Sequence, residues 1–163
     1  MLVRRITPSD ALLLRDVRLR ALATDPFAFG STYALEAPRE PSAWETWARE
    51  HASGADKATF LAMRDATANA VGIATGRRSQ DPRRFGLFSM WVDGTTRRRG
   101  TGRELVETVA AWVVTSGGTH LSLWVTQSGA RAFYERCGFV DDGRRELLAH
   151  SPDVIEIGMT RDL

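Results

Sequence analysis

Arg97, Arg98, Arg99 and Arg103 crowd around two glycines, Gly100 and Gly102, in one short stretch of chain. Glycine lets the backbone bend tightly and approach a ligand with no Cβ in the way, and guanidinium groups pair readily with phosphate oxygens. Just downstream Leu105, Val106, Val109, Trp112 and Val113 recur at helical spacing, which predicts a helix starting near Gly100 to Gly102. The first N–H groups of such a helix have no partner inside it, and its dipole favours an anion at that end. The run Arg97-Arg98-Arg99-Gly100-Thr101-Gly102-Arg103 therefore reads as a cradle for a pyrophosphate. It lacks both the Gly-Lys-Ser/Thr ending of a P-loop and the three-glycine order of the dinucleotide fingerprint.

Local patterns supply the elements that position the cradle. Residues 85–92, with Leu87, Phe88, Met90, Trp91 and Val92, read as the strand leading into it, and they stop at Asp93-Gly94. Gly117-Gly118 closes the helix, and residues 120–125 form the next strand. Toward the N-terminus, residues 3–6 read as a strand. Thr7-Pro8-Ser9-Asp10 is a turn that caps a helix running to about Ala23. Residues 27–41, with Tyr33 and several breakers, form a loop or broken helix of the kind that lines clefts. Pro41-Ser42 opens a second helix whose Trp44, Trp47 and Ala48 share a core face. Residues 59–64 and 70–77 make a hairpin through Asp65-Ala66-Thr67-Ala68-Asn69. Beyond the central strand a short helix, capped by Ser128, ends at Cys137 with Gly138 just past it. Residues 141–143 then read as a turn, 144–148 as a strand, 151–153 as a loop and 154–160 as the last strand.

Composition sets the outer bounds. A length of 163 residues fits one domain over residues 1–163 with a substantial core. An apolar fraction of 43% with 26% charged residues excludes disordered and collagen-like classes. No run is long enough for a membrane helix, and Met-Leu-Val-Arg-Arg lacks a signal-peptide apolar region, so a cytoplasmic protein without a membrane partner is expected. The net charge of +2 sits beside a pI of 9.2 because Lys57 is the only lysine and arginine stays protonated throughout. Cys137 is alone, which excludes an intrachain disulfide, and His51, His120 and His150 show no ligand spacing, so no metal site is expected.

Two motifs carry a resemblance. Arg97-x-x-Gly100-x-Gly102, placed after a strand, resembles the acetyl-coenzyme A signature Gln/Arg-x-x-Gly-x-Gly/Ala of the GNAT superfamily of N-acetyltransferases. Ala130-Arg131-Ala132-Phe133-Tyr134-Glu135-Arg136-Cys137-Gly138-Phe139 is similar to the second GNAT landmark, Asn-x-x-Ala-x-x-Leu/Phe-Tyr-x-x-x-Gly-Phe. Asp25-Pro26-Phe27-Ala28-Phe29-Gly30-Ser31 looks like the family's region between its first two helices. The resemblance implies an α/β (α+β) fold. Its central sheet is mixed and mostly antiparallel, has about seven strands, splays between strands 4 and 5, and is flanked by four helices.

It further implies an acetyl-CoA-dependent acyltransferase that passes an acetyl group to a primary amine by direct attack. The backbone of Met90, Trp91 and Val92 would pair with the pantetheine arm, and backbone N–H groups of residues 98–103 would hold the pyrophosphate. Tyr134 would lie near the sulfur and donate a proton to the departing thiolate, and Gln127, standing where the family has asparagine, can offer an amide to the pantetheine. Backbone donors at the splayed end of the fourth strand would stabilise the oxyanion. Glu36, Asp93 and Asp142 are candidate bases, each also readable as an exposed charge, and Cys137 is better read as a packed small side chain than as an acyl relay. The resemblance leaves the acceptor open among a small amine, an amino acid, an antibiotic and a peptide N-terminus, with specificity set by residues 27–41 and 141–153; edge pairing of sheets would allow a homodimer. Two other readings of the same residues are a catalytically silent acyl-CoA sensor and an arginine-rich nucleic-acid module, the latter wanting more exposed aromatics than Trp91.

Overall fold

The computed structural model describes residues 1–64, 69–127 and 129–163. Its sheet contains β1 (Leu2–Arg5), β2 (Lys57–Met63), β3 (Ala70–Arg78), β4 (Arg84–Val92), β5 (His120–Thr126), β6 (Val140–Leu148) and β7 (Ser151–Asp162). The spatial order is β1-β2-β3-β4-β5-β7-β6, and every neighbouring pair is antiparallel except β4 with β5. Five α-helices occur among the described residues: α1 (Ala11–Thr24), α2 (Tyr33–Glu36), α3 (Pro41–His51), α4 (Thr101–Thr115) and α5 (Arg131–Arg136).

Helices cover both faces of the first half of the sheet, which is why β2 and β3 are apolar and buried almost throughout. Leu14 and Val17 of α1 and Trp44 and Ala48 of α3 pack on one face, against Leu61, Ile73 and Trp91. Leu105, Val106, Val109 and Val113 of α4, joined by Tyr134 of α5, pack on the other, against Val71, Ala74, Phe85 and Leu121. The stripe read from the sequence is thus the buried face of α4. Trp112 of the same helix meets Phe85 edge-on with ring centroids 5.3 Å apart. It can do so because β3 carries Gly76, where a Cβ would lie 2.6 Å from the indole.

One discontinuity in the sheet creates the site. β4 and β5 pair only between Arg84–Gly86 and His120–Ser122. Beyond that point Ser89 takes a φ of 53°, and the register with β3 slips between Ile73 and Thr75. This bulge bends β4 away from β5, and the two strands open a wedge.

The sequence expectations need three adjustments. The 27–41 segment contains the one-turn helix α2, capped by Thr32, whose side chain accepts from Leu35 N, so the helices number five and not four. Residues 141–143 are a bulge inside β6 and not a turn between strands, since the pairing jumps from Asp141–Met159 to Arg145–Ile157 around Gly143 at φ 86°. Residues 151–153 are strand, because Leu148 already pairs with Ser151. The expected hairpin turn at residues 65–68 and the Ser128 cap lie outside the described residues, although β2 and β3 pair as the two arms of that hairpin should.

Candidate active site

The arginine-glycine stretch forms the tight turn that opens α4. Gly100 is the N-cap of α4 with φ 86°, a left-handed conformation that only glycine adopts without strain. The first amide of the helix to find a carbonyl is that of Glu104, which donates to Gly100 O at 3.0 Å. The preceding amides therefore point out of the helix end. Gly102 serves a different need: a Cβ there would sit 3.1 Å from Phe133 and 3.5 Å from the Met90 side chain, so its absence lets both close on the helix terminus.

These groups line a cavity of about 900 Å³ that runs from the α4 N-terminus through the wedge. Of the residues expected to bind the ligand, Met90, Trp91, Val92, Arg97, Arg98, Gly100, Gly102 and Arg103 line it, whereas Arg99, Thr101 and Gln127 do not. Thr101 is buried in the first turn of α4, and the backbone N–H of Gln127 donates to Ile155 O across to β7. Arg97 is not a free cation. Its Nε donates to Val92 O at 2.8 Å and its Nη2 to Asp25 Oδ2 at 2.6 Å, the same carboxylate oxygen that accepts from Trp91 Nε1 at 2.7 Å. Asp25 thereby ties the end of α1 to β4 and to the cradle. Trp91, held by this bond and buried, presents no open stacking face.

Tyr134 stands across the wedge on α5. It packs between Phe133 and Phe139, with centroids 5.0 and 5.8 Å away, and lines the cavity. Burial, aided by the neighbouring Cys137, holds its phenol well above the ordinary tyrosine value. The hydroxyl has no hydrogen-bond partner among the described residues yet is not sealed from the cavity. Cys137 is buried too, and burial followed by the Glu107 charge pushes its thiol up, so it is no thiolate nucleophile.

The cavity thus joins a helix end with outward amides, a wedge between parallel strands and a phenol across it. The sequence profile of the Acetyltransferase (GNAT) family matches residues 18–139. The chain belongs to this family. Solved structures agree on the fold. An acetyltransferase of the GNAT family from Streptococcus pneumoniae superposes with a TM-score of 0.81 at 22% identity, covering 99% of this chain and 98% of that one. A ribosomal-protein-alanine N-acetyltransferase from Brucella melitensis gives 0.79 at 16%, covering 100% of both. An aminoglycoside 6'-N-acetyltransferase solved with coenzyme A gives 0.73 at 16%, covering 99% and 97%. No curated protein matches in sequence.

The carboxylates that the sequence nominates as bases in this acetyltransferase are all engaged. Glu36 is 2% exposed; burial alone would raise its pKa, but the Arg18 guanidinium, donating through Nε at 3.0 Å and Nη2 at 2.7 Å, brings it below the usual range. Asp93 accepts from the Thr95 hydroxyl and amide and from Arg20, which lower it in the same way. Asp142 is clamped by Arg144. Each is thereby a weaker base than an ordinary carboxylate. The structure adds residues with no sequence signal of their own: Asp25, and the side of the wedge formed by Trp124 and Thr126 of β5, both lining the cavity, with Glu156 beside Thr126 on β7. Their signal lies in strand pairing, which no local pattern reveals. Among the described residues no His/Cys/Asp/Glu cluster could hold a metal ion, and no helix is long and apolar enough to cross a membrane.

Proposed function

We propose that the chain, acting as one domain over residues 1–163, transfers the acetyl group of acetyl-CoA directly to a primary amine. The continuity of a single cavity from the α4 N-terminus to Tyr134 carries this reading. The amides of residues 98–103, with Arg98 and Arg103 beside them, hold the pyrophosphate, as a helix N-terminus suits an anion. The edge of β4 at Met90, Trp91 and Val92, left unpaired by the splay, accepts the pantetheine arm as an added strand, and the same edge supplies donors to the oxyanion.

The amine nitrogen bonds to the thioester carbon, the C–S bond breaks, and sulfur leaves as a thiolate. Tyr134 faces that sulfur. A phenol held above its usual value of about 10 is a weaker acid than a thiol of about 8.5, so complete proton transfer to sulfur is uphill. The phenol therefore acts by hydrogen bonding to the developing charge.

Removing a hydrogen bond to a charged group costs about 1.5–3 kcal/mol, so Tyr134→Phe should lower kcat about 10- to 100-fold. Acetyl-CoA affinity, measured by calorimetry, should stay nearly unchanged. Thiol release across a panel of amines is the assay. An unaltered kcat removes Tyr134 from the reaction, and acetyl-CoA binding without turnover of any amine leaves only a sensor.

A further inference from the structure

Among the described residues, the face of β5, β7 and β6 turned away from α4 carries no α-helix contact of note. The alternation is fixed by Ile157 and Met159, which point into the core beneath α4, so Glu156 and Gly158 point the other way. Glu156 pairs with Thr126 and Gly158 with Trp124, placing all four on one face, and both β5 residues line the cavity. The segment at Pro26–Ala28 packs against β5, and His150, from the β6–β7 turn, contacts Phe29 O through Nε2 at 2.7 Å and stacks on Phe27. The opening between that segment and the bare face is the side of the wedge opposite the cradle.

Glu156 is the anomaly of this face. The residue is 8% exposed, and its carboxylate, which still reaches solvent, has no hydrogen-bond or ion-pair partner among the described residues. The nearby cations are committed elsewhere. Arg144 is clamped by Asp142 and lies over the Trp124 ring at 4.6 Å, in space left by the missing side chain of Gly158, and Arg145 pairs with Asp141. The residue directly across the β6 pairing is another acid, Glu146. A largely buried carboxylate that faces a second acid, reaches solvent and has no cation beside it among the described residues is placed to receive a cation or a proton.

We infer that Glu156 is the acceptor-side carboxylate of this acetyltransferase: it receives an aliphatic primary amine as its ammonium ion and takes the proton that nitrogen must lose before attack. This rests on the acetyl-transfer reading above. In the balanced sequence the ammonium gives one proton to Glu156, and the neutral amine forms the C–N bond as the C–S bond breaks. The nitrogen's second surplus proton passes to the thiolate, and Glu156 returns its own to solvent. Burial, then the facing Glu146, raises the Glu156 carboxyl, with His150 opposing. That moves the base toward neutral pH, where it works best.

The test compares wild type with Glu156→Gln and Glu156→Asp, using tyramine, putrescine and alaninamide as acceptors. Glu156→Gln should bind acetyl-CoA as wild type does, lose about 100-fold in kcat/KM and lose the acid limb of its pH profile. Its melting temperature should hold, because the carboxylate makes no hydrogen bond or ion pair that the amide would lose. Glu156→Asp should keep the acid limb. An unchanged rate and pH profile in Glu156→Gln, or a loss of rate that tracks a lowered melting temperature, overturns the assignment. So does a wild type that binds acetyl-CoA but acetylates none of the three amines. Failure of wild type to bind acetyl-CoA overturns the acetyl-transfer reading itself.

Discussion

A Cβ on Gly100 would meet no atom within 4 Å, so space does not demand glycine there, but its φ of 86° does; at Gly102 the backbone is ordinary helix and the demand is the Phe133 ring 3.1 Å away. Two substitutions should therefore fail differently. Gly100→Ala must hold a left-handed conformation, at about 1–2 kcal/mol, or shift the amides that face the ligand. Gly102→Ala needs only a small displacement of Phe133. Calorimetry with acetyl-CoA should show Gly100→Ala binding about 10-fold more weakly, as a strain of that size implies. Gly102→Ala should lose less affinity, and equal losses would contradict the division of roles. Gly100 was legible because it answers a local constraint and Gly102 because it stands in the same short motif, although its demand comes from Phe133 on α5; the contacts of Asp25 with Trp91 and Arg97 were not, since they cross from the end of α1 to β4 and spacing along the chain carries no trace of them.

At the scale of elements, α2 shows why part of the acceptor side escaped the sequence. A one-turn helix cannot stand on propensity. This one is held by the Thr32 cap and by Glu36, which reaches back to Arg18 of α1. Arg18 in turn lies over Phe29 at 4.8 Å and places Nη1 3.4 Å from Ser89 Oγ, at the bulge that opens the wedge. One buried ion pair thus fixes α2, the segment before it and the bent strand relative to one another. Removing one member of such a pair strands the other charge, typically at about 3–5 kcal/mol. Arg18→Met should destabilise by roughly that amount in denaturant titration. Arg18→Met combined with Glu36→Met should recover much of the loss, because neither charge is then left alone. If the double variant is as unstable as the sum of the singles, the pair contributes packing and not charge compensation.

At the scale of the molecule, the strongly patterned part of the fold was readable: the order of strands and helices, the α4 stripe and the splay expected from the family resemblance all reappear. The β6 bulge and the position of Glu156 depend on which strand lies beside which, and were not. The α3 histidine links core chemistry to global stability. His51 is 3% exposed, its Nδ1 lies 2.8 Å from Thr59 Oγ1, and that hydroxyl meets Thr75 Oγ1 at 2.8 Å and accepts from Trp47 Nε1 at 3.2 Å. Burial, then the Arg77 charge, lowers its pKa to about 4. An unfolded histidine protonates near 6.5. Between these values the unfolded chain binds a proton that the folded chain refuses, so stability rises with pH across that window and is lost on acidification, by at most about 1.4 kcal/mol per pH unit. Asp10, held at about 2 by Arg4, adds a loss of the same sign only below 3.8. Glu156, whose raised pKa acts in the opposite sense, is common to wild type and His51→Gln and cancels in their difference. Melting curves should therefore show wild type losing stability more steeply than His51→Gln between pH 6.5 and 4.5. Parallel slopes would mean that the buried imidazole accepts its proton in the folded state, with the Thr59 and Thr75 hydroxyls turning their lone pairs toward it.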